Sequence, residues 1–469
     1  MCRIGVIVVA YNAESTLTSV LDRLPASFRK RVAAVLVADD ASSDATYRVG
    51  LDYQIQSELP LTVFRQPVNL GYGGNQKWGY QWAINHGLDV VVLLHGDGQY
   101  APEVIETLTL PLELGLVDAV FGSRMMAPGA ARKGGMPAYK FLGNKLLTTV
   151  ENSLTGLRLT EWHSGYRAYR VDALTDIAFC DNSDGFDFDT QIILQLHAAG
   201  KTIQEVPIPT YYGDEICYVN GIKYARDIVG DVVRYRMARI GFLNRGTTVD
   251  IEPYELKTDP ATSHGRLLAW FEGKPPLRVL DVGCSDGRFG ELLRHAGHSV
   301  TGIDVVKHDG VGDRLDDFIE ADVSRGLPLE ALMAYDVVVA ADVIEHVADP
   351  ALLLGELRKA LAPGGALLTS IPNFAHWYPR LRVGIGRFDY DKRGILDEGH
   401  LRFFTKRSFA QLLKRARWSV VSESAVGTPI ELLTCNLLLR KLAGEVDQLG
   451  VRLRPTLFGY QFIYELRAH

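Results

Sequence analysis

The stretch HGDGQY, which follows the apolar run LDVVVLL, places His95, Asp97 and Gln99 at alternate positions. Polar groups that follow a buried strand in this way are typical of a cation site, because carboxylate, amide and imidazole groups all bind metals. Magnesium prefers oxygen ligands, whereas manganese also accepts an imidazole nitrogen. The stretch therefore predicts a magnesium or manganese ion, with Asp97 as the strongest ligand and with Gln99 and His95 binding directly or through water.

Two neighbouring stretches have the composition of a nucleotide-binding site. ADDASSDAT places Asp39 and Asp40 at the end of a strand-like run, where a carboxylate can accept a hydrogen bond from a base or a ribose. NLGYGGN contributes Gly71 and Gly73, which let the backbone approach a ligand just before a helix whose N-terminus favours phosphate. Each stretch has an alternative interpretation: the acidic residues cap a helix, and the glycines form a tight turn.

Basic groups further along the chain would suit an anionic acceptor or a departing phosphate. Arg124 ends the strand-like run FGSR, and EWHSGYRAYR adds Ser164, Arg167 and Arg170. We expect these groups to converge on one site. The alternative is that the arginines lie on a solvated surface.

Acidic residues near this site could act as a base. A hydroxyl acceptor must lose a proton, which a positioned carboxylate would assist, whereas a phosphate acceptor is already ionised. GFDFDTQI offers Asp187 and Asp189 as catalytic candidates, and Glu161 is a third. Asp187 and Asp189 are two positions apart, so on a helix their side chains diverge and only one is expected to face the site.

A second set of motifs begins with VLDVGCSDGRFGELL, which reads as a strand, a glycine-rich turn and a helix. The turn contains Gly283 and Gly287 with Asp281 and Asp286 around them. Two carboxylates would repel a pyrophosphate but attract the ammonium group of S-adenosylmethionine. The turn therefore predicts a site for this methyl donor and excludes the dinucleotide site of an oxidoreductase.

Acidic residues at later strand ends complete this second pattern. Asp304, roughly twenty residues on, is placed to hold ribose hydroxyls, and Asp322 to bond the adenine amine. Asp342 ends the next strand, in ADVIEHV. His400 and His346 are candidates to take a proton from a hydroxyl as the methyl group transfers, and a structural role is the alternative for both.

These residues need two sets of elements to position them. Short β-branched runs alternate with helical patterns from IGVIVVAY to DAVFGSR and again from LRVLDVG to GALLTSIPN, which predicts α/β domains with parallel sheets. Each series begins with its own ligand-type loop, and periodicity lapses in NRGTTVDIEP between them. We predict a first domain at residues 1–245, a linker at 246–253 and a second domain at 254–469.

Composition limits the classes of function. A chain of 469 residues with 47% apolar and 23% charged residues is long enough for two or three globular domains. The net charge of −6 gives no argument for nucleic-acid binding. Five scattered cysteines without a CxxC pair suit a reducing compartment.

The chain is expected to be cytoplasmic. MCRIGVIVVAYN enters a strand without a leader, and no window reaches the about 18–20 apolar residues that span a bilayer. The segment at residues 209–242 predicts an amphipathic helix, for which packing against its own domain is favoured. Peripheral contact with the inner membrane face is the alternative.

The motifs AYN, DDASSD, NLGYGGN, HGDGQYAPE and FGSR resemble those of the inverting glycosyltransferase family 2, which has a GT-A fold. Within that family the chain is similar to the dolichol-phosphate mannose synthase branch, over about residues 3–240. This resemblance implies that Asp40 contacts the nucleotide base and that Asp97 and Gln99 hold the metal and the diphosphate. It also implies that Arg124 contacts the lipid phosphate of a polyprenyl-phosphate acceptor.

One residue departs from that branch, because His95 stands where the branch has an aspartate. This difference concerns the identity and affinity of the metal more than the fold. Residues 254–469 resemble the class I S-adenosylmethionine-dependent methyltransferases, whose last strand is antiparallel; FGYQFIYELR matches that strand.

Taken together, the two halves predict a bifunctional transferase of glycan or glycolipid biosynthesis. The first half would move a sugar from a nucleotide-diphosphate sugar to a glycan or a polyprenyl phosphate, with inversion. The second would methylate an oxygen atom. The alternative is a methyltransferase whose glycosyltransferase-like half is inactive and only binds glycan.

Overall fold

The computed structural model describes residues 2–211, 221–242, 256, 258–328, 331–332, 335–430 and 436–469. Two compact units divide the chain: Met1–Arg236 with Gly246–Glu252, and Met237–Arg245 with Pro253–His469. The predicted linker and two of the five cysteines, Cys217 and Cys435, lie outside the described residues, so the domain boundaries stay a prediction. In the described ranges, no helix combines the length and apolar content that crossing a membrane requires.

The first unit is built on a seven-stranded sheet with the order β3-β2-β1-β4-β6-β5-β7. Its strands are β1 Ile4–Ala10, β2 Ala34–Asp39, β3 Leu61–Arg65, β4 Val90–His95, β5 Ala119–Ser123, β6 Arg167–Arg170 and β7 Ile203–Pro207. All pair in parallel except β6, which is antiparallel to both β4 and β5. The parallel strands therefore end at one edge, where the predicted motifs lie.

Helices cover both faces of this sheet, as the alternating pattern predicts. They are α1 Leu17–Asp22, α2 Ala26–Arg29, α3 Thr46–Gln56, α4 Gly71–Asn85, α5 Ile105–Glu113, α6 Ala130–Lys133, α7 Ala138–Thr155, α8 Val171–Thr175, α9 Phe188–Ala198 and α10 Gly221–Arg239. Alternate residues of β1 separate the two apolar cores: Val6 and Val8 pack into one, and Ile7 into the other. Both faces of this sheet are thus buried, which explains the continuous apolar runs in the sequence.

The second unit contains another seven-stranded sheet, with the order β10-β9-β8-β11-β12-β14-β13. Its strands are β8 Arg278–Val282, β9 Ser299–Asp304, β10 Asp317–Glu320, β11 Tyr335–Ala341, β12 Leu361–Pro372, β13 Trp418–Val426 and β14 Gln461–Ala468. Strand β14 is antiparallel to both of its neighbours, which confirms the predicted antiparallel last strand. The remaining pairs are parallel.

Eight helices accompany this sheet in the described part of the chain. They are α11 Ser263–Phe271, α12 Arg288–His295, α13 Val311–Arg314, α14 Pro350–Ala360, α15 Trp377–Gly384, α16 Lys406–Arg415, α17 Leu437–Leu453 and α18 Pro455–Phe458. A short 3₁₀ helix, Ile344–His346, follows β11. It places Glu345 and His346 next to the carboxyl ends of β8 and β11, where ligands gather in such sheets.

Candidate active sites

The turn that follows β4 presents the predicted cation ligand to solvent. Asp97 is exposed, and its Oδ1 accepts a hydrogen bond from the backbone N–H of Gln99 at 3.0 Å. Gly98 takes a φ of +77°, which L side chains rarely adopt, so a glycine suits this position. The turn thus holds a carboxylate and an amide side chain two residues apart at the sheet edge.

His95, which was predicted as a cation ligand, is not placed to bind a cation. Its Nε2 is buried, and among the described residues no group forms a hydrogen bond with it. A Cβ atom on Gly165 would lie 2.6 Å from Nε2, so the imidazole packs directly on that glycine. The rings of Tyr72 and Tyr100 meet the imidazole edge-on, and burial lowers its pKa. The Nε2 atom is therefore neutral and enclosed rather than open to a cation.

The two acidic residues at the end of β2 bond to different parts of the protein. Asp39 is buried, with Oδ2 at 3.5 Å from Nε of Arg65. The carboxylate of Asp40 accepts hydrogen bonds from the backbone N–H groups of Leu70 at 2.7 Å and Gly71 at 3.1 Å, where α4 begins. Burial raises the pKa of Asp40. The bonds of Asp40 are those of the helix-capping alternative, so Asp40 and the glycine-rich turn form one structural unit, whereas Asp39 bonds elsewhere.

The glycines of that turn approach another segment of the protein. Gly71 takes a φ of +81°, and a Cβ atom on Gly73 would lie 2.4 Å from the carbonyl oxygen of Ser183. The N–H of Gly73 donates to the carbonyl of Asp184 at 2.8 Å. The space that the missing side chains leave is therefore occupied by the loop before α9, whereas a ligand was expected there.

Arg124, at the end of β5, is buried against Glu161. Its Nε lies 2.9 Å from Oε1 of Glu161, and its backbone N–H donates to Oε2 at 2.6 Å. Asn144 donates a further bond to the same carboxylate, at 2.8 Å. Burial alone would raise the pKa of Glu161, but the charge and hydrogen bonds of Arg124 outweigh burial and lower it. Glu161 therefore positions Arg124 and is a poor proton acceptor.

Arg170 does not join the predicted convergence of basic residues, whereas Arg124 reaches the same segment by donating to the carbonyl of His163 at 3.0 Å. Arg167 is buried and donates to the backbone carbonyls of Ser164 at 2.7 Å and Asp189 at 2.9 Å. Arg170 forms an ion pair with Asp172 at the opposite edge of the sheet. The reason is the direction of β6, which runs antiparallel and so carries its last residue away from the site. Nothing in the residue pattern of this segment indicates the reversal.

The two acidic residues near α9 separate as expected for a helical turn. Asp187 lies just before the helix and accepts bonds from Ser183 at 2.8 Å and Gln191 at 3.1 Å. Asp189 is buried and accepts a bond from the hydroxyl of Tyr72 at 2.8 Å. Asp189 therefore shares Tyr72 with the imidazole of His95, whereas Asp187 belongs to the loop that covers the glycines. Their catalytic roles stay a prediction.

A cavity of about 340 Å³ opens where β8 and β11 end in the second unit. Asp281, Gly283, Ser285 and Asp286 line it. Burial, and then the charge of Asp304, raises the pKa of Asp281 to about 7. Its Oδ2 is buried, and no described group forms a hydrogen bond with it. An unpartnered buried carboxylate is a fitting partner for an ammonium group.

The remaining predicted residues of the methyl-donor site bond locally. Asp304 accepts a hydrogen bond from the N–H of Ser285 at 2.8 Å, which ties the end of β9 to the glycine-rich turn. Asp322 accepts from the hydroxyl of Ser324 at 2.6 Å, which lowers its pKa. Gly287 takes a φ of +80° just before α12. Asp304 and Asp322 follow adjacent strands, so they lie at the same sheet edge.

Glu345 was missed by the sequence reasoning, although ADVIEHV places it beside His346 just after β11. Glu345 is buried, and burial, followed by the charge of Asp342, raises its pKa well above the ordinary range. His400 is buried, and burial, followed by the charge of His346, lowers its pKa. Glu345, His346 and His400 all line the cavity that holds Asp281. The sequence signal for Glu345 was an acidic residue beside a histidine directly after a strand.

Comparisons with known proteins assign both halves. Residues 5–178 match the model of glycosyl transferase family 2, and residues 254–423 match a methyltransferase domain. An undecaprenyl-phosphate mannosyltransferase of Micrococcus luteus is 30% identical over 232 residues, which cover 49% of this chain and 91% of that protein. A ubiquinone biosynthesis O-methyltransferase of Psychrobacter arcticus is 35% identical over 105 residues, 20% of this chain and 41% of that protein.

A solved S-adenosylmethionine dependent methyltransferase from Mesorhizobium loti has 17% sequence identity and a TM-score of 0.33, and the match covers 44% of this chain and 98% of that one. The predicted α/β class, a GT-A domain followed by a Rossmann-like methyltransferase domain, is confirmed. The chain belongs to glycosyltransferase family 2 through its N-terminal half, and it carries a methyltransferase domain in its C-terminal half.

Proposed function

We propose that the N-terminal half transfers a sugar from a nucleotide-diphosphate sugar to a polyprenyl phosphate with inversion. The C-terminal half then methylates a hydroxyl oxygen in the same glycan or glycolipid pathway. The observation that carries the first activity is the sheet edge where the exposed Asp97 follows β4 and where Arg124, paired with the buried Glu161, follows β5. The likeness to an undecaprenyl-phosphate mannosyltransferase supports the acceptor.

The transfer step needs charge stabilisation more than it needs a base. A phosphate oxygen of the acceptor attacks the anomeric carbon, the bond from that carbon to the nucleoside diphosphate breaks, and the configuration inverts. The acceptor is already ionised, so no side chain has to remove a proton. This agrees with Glu161, which is committed to Arg124, and with Asp189, which accepts from Tyr72.

Asp97 is the residue suited to hold a divalent cation, with Gln99 as a second oxygen donor. Such a cation, when bound, supplies positive charge for the leaving diphosphate. The exposed carboxylate of Asp97 fits this role, whereas the enclosed Nε2 of His95 does not. Arg124 is proposed to lie at the acceptor phosphate, and the nucleotide is proposed to lie at the sheet edge around Asp39 and Asp40, whose carboxylates bond within the protein.

The methyltransferase half is proposed to bind S-adenosylmethionine along the ends of β8, β9 and β10. This donor, when bound, supplies an electrophilic methyl group on a sulfonium. The unpartnered carboxylate of Asp281, with Asp286 beside it, would hold the ammonium group, Asp304 the ribose and Asp322 the adenine amine. The acceptor hydroxyl must lose its proton as the new C–O bond forms, and His400 and His346 are the candidate bases.

Calorimetric titration of the full chain tests this proposal. We expect UDP or GDP to bind more tightly with manganese than without it, and S-adenosylhomocysteine to bind without added nucleotide. Transfer of radiolabelled sugar from the matching nucleotide sugar to undecaprenyl phosphate should follow. Binding of S-adenosylhomocysteine without binding of either nucleotide would instead support an inactive first half that serves the methyltransferase.

Helix α7 offers a surface for contact with the lipid that carries such an acceptor. Tyr139, Leu142 and Leu146 are exposed on it at 72%, 64% and 66%, and their spacing places them on one face. Lys140 and Lys145 lie next to them. Apolar side chains flanked by positive charge suit an anionic membrane surface, so the protein is proposed to bind peripherally at the inner face. Sedimentation with phosphatidylglycerol vesicles should decrease in Leu142→Ser.

A further inference from the structure

Three side chains in the methyltransferase half form a cluster with the donor set of a metal site. The ligand atoms of Glu345, His346 and His400 all lie within 4.8 Å of one another. Glu345 and His400 are 1% and 7% exposed, whereas His346 is exposed. All three line the cavity into which Asp281 also projects. The cluster is therefore part of the wall that faces the proposed methyl donor.

The two imidazoles are oriented by backbone carbonyls. Nδ1 of His346 lies 3.0 Å from the carbonyl oxygen of Gly399, and Nδ1 of His400 lies 3.2 Å from that of Ile395. A carbonyl only accepts, so each Nδ1 carries the hydrogen and each Nε2 keeps a free electron pair. Metal-binding histidines have this arrangement, because the second ring nitrogen is bonded to an outer partner that fixes the ring.

The carboxylate of Glu345 has no such partner in the described part of the chain. Both Oε1 and Oε2 are buried without a hydrogen bond, and Nε2 of His400 lies 4.0 Å from Oε1. A buried carboxylate that lacks hydrogen bonds costs considerable free energy, which a cation would offset. Nε2 of His400 and the carboxylate of Glu345 lie close together, and no described group forms a hydrogen bond with the Glu345 carboxylate.

We infer that Glu345, His346 and His400 bind a first-row divalent transition-metal ion whose open coordination positions hold the hydroxyl oxygen of the methyl acceptor. This inference rests on the proposed methylation of oxygen. Two imidazoles and one carboxylate suit zinc, manganese, iron or cobalt better than magnesium or calcium. Three protein ligands leave room for an exogenous oxygen, as in catalytic zinc sites.

The backbone holds the two ligand segments together. The N–H groups of Leu401 and Arg402 both donate to the carbonyl of Glu345, at 2.9 and 3.0 Å, and so fix the segment that carries His400. Two ligands at about 2.1 Å from one cation lie at most about 4.2 Å apart. The cluster must therefore contract slightly on binding.

A metal at this position changes how the acceptor loses its proton. Coordination lowers the pKa of a bound hydroxyl, so the proton leaves to water rather than to a histidine. The oxygen then forms a bond to the methyl carbon as the bond from that carbon to sulfur breaks, which yields the methyl ether and S-adenosylhomocysteine. His400 acts in this scheme as a ligand and not as a base.

Cobalt(II) is a suitable probe, because its visible absorption reports coordination without any need for turnover. The full chain with Asp97→Ala, which removes the other candidate metal ligand, would be stripped with a chelator and titrated with cobalt(II). We expect one equivalent to bind with absorption bands of a nitrogen- and oxygen-ligated site. Glu345→Gln and His400→Gln, in the same background, should weaken binding by at least about 100-fold.

Two further variants complete the design. His295→Gln replaces an exposed histidine in the same half and should bind cobalt(II) as the parent does. His346→Ala changes an exposed ligand, so it tests the site even if a buried substitution prevents folding. S-adenosylhomocysteine binding without cobalt(II) binding would overturn the metal site and leave the methyltransferase proposal intact. Loss of S-adenosylhomocysteine binding in the parent chain would instead overturn the proposed function.

Discussion

The guanidinium of Arg124 lies against the carboxylate of Glu161, with Nε of the arginine 2.9 Å from Oε1 of the glutamate. Both side chains are buried, at 6% and 2% residual exposure. The carboxylate also accepts from the backbone N–H of Arg124, so it fixes the side chain and the strand end together. Glu161, which the sequence offers as a candidate base, thus positions Arg124, the cation proposed to contact the acceptor phosphate.

Glu161→Gln should destabilise the N-terminal half by about 3 kcal/mol, because it leaves the buried charge of Arg124 without a counter-ion. The KM for the phosphate acceptor should also rise, while binding of the nucleotide stays within about twofold, because Arg124 is proposed to contact only the acceptor. Denaturant unfolding and steady-state kinetics would measure the two effects.

Arg170→Gln is the matched control, since its ion pair with Asp172 is largely exposed and should contribute less than about 1 kcal/mol. Equal losses in both variants would contradict the assignment.

Asp97→Asn should abolish the effect of manganese on nucleotide binding, whereas His95→Gln should retain it. The reason is that Asp97 is exposed at the sheet edge, while Nε2 of His95 is buried against Gly165. Calorimetric titration with and without manganese would measure the difference. Asp52→Asn, an exposed carboxylate of the same half, serves as the control. A loss of metal dependence in His95→Gln would restore the imidazole to the ligand set.

The affinity for S-adenosylhomocysteine should increase about tenfold between pH 6 and pH 8, if only ionised Asp281 binds the ammonium group. The pKa of Asp281 is raised to about 7, so the fraction that is ionised rises from about one tenth to about nine tenths over this interval. Isothermal titration at several pH values would measure the change. Asp281→Asn should bind weakly with a flat profile, and Asp317→Asn, an exposed carboxylate, should behave as the parent chain. A flat profile in the parent chain would exclude this role.

Protonation of His376 should destabilise the methyltransferase half in acid. Burial lowers the pKa of His376 to about 3, whereas an unfolded histidine titrates near about 6.5. The unfolded state therefore binds the proton first, and stability is lost as pH falls below about 6.5, by about 1.3 kcal/mol between pH 7 and pH 5.5.

Comparison with His376→Gln isolates this effect, because Nδ1 of His376 accepts from the N–H of Tyr378 at 3.3 Å and a glutamine keeps an acceptor there. The unfolding transition that S-adenosylhomocysteine shifts identifies the methyltransferase half in denaturant titrations. The variant should lose about 1.3 kcal/mol less than the parent chain over the same pH interval. An identical acid response in both proteins would show that other groups titrate.

Residue patterns alone predicted the class of both domains and the place of most candidate residues. Apolar runs of strand length predict the strands. The residue types near the ends of those runs, such as Asp97 and Asp281, predict which ligands bind at the sheet edges. These inferences depend on spacing within one segment, which the sequence shows directly. The comparisons bear out the two families that this spacing indicated.

Contacts in the folded chain determine which of those residues are available to a ligand. Because β6 is antiparallel, Arg170 lies away from the site. The carboxylate of Asp40 accepts a hydrogen bond from the first residue of α4, and His95 packs against Gly165. The bond between His346 and Gly399 joins positions that are 53 residues apart. Strand direction, capping and packing depend on contacts between segments distant in the chain, and residue spacing within one segment carries no information about them.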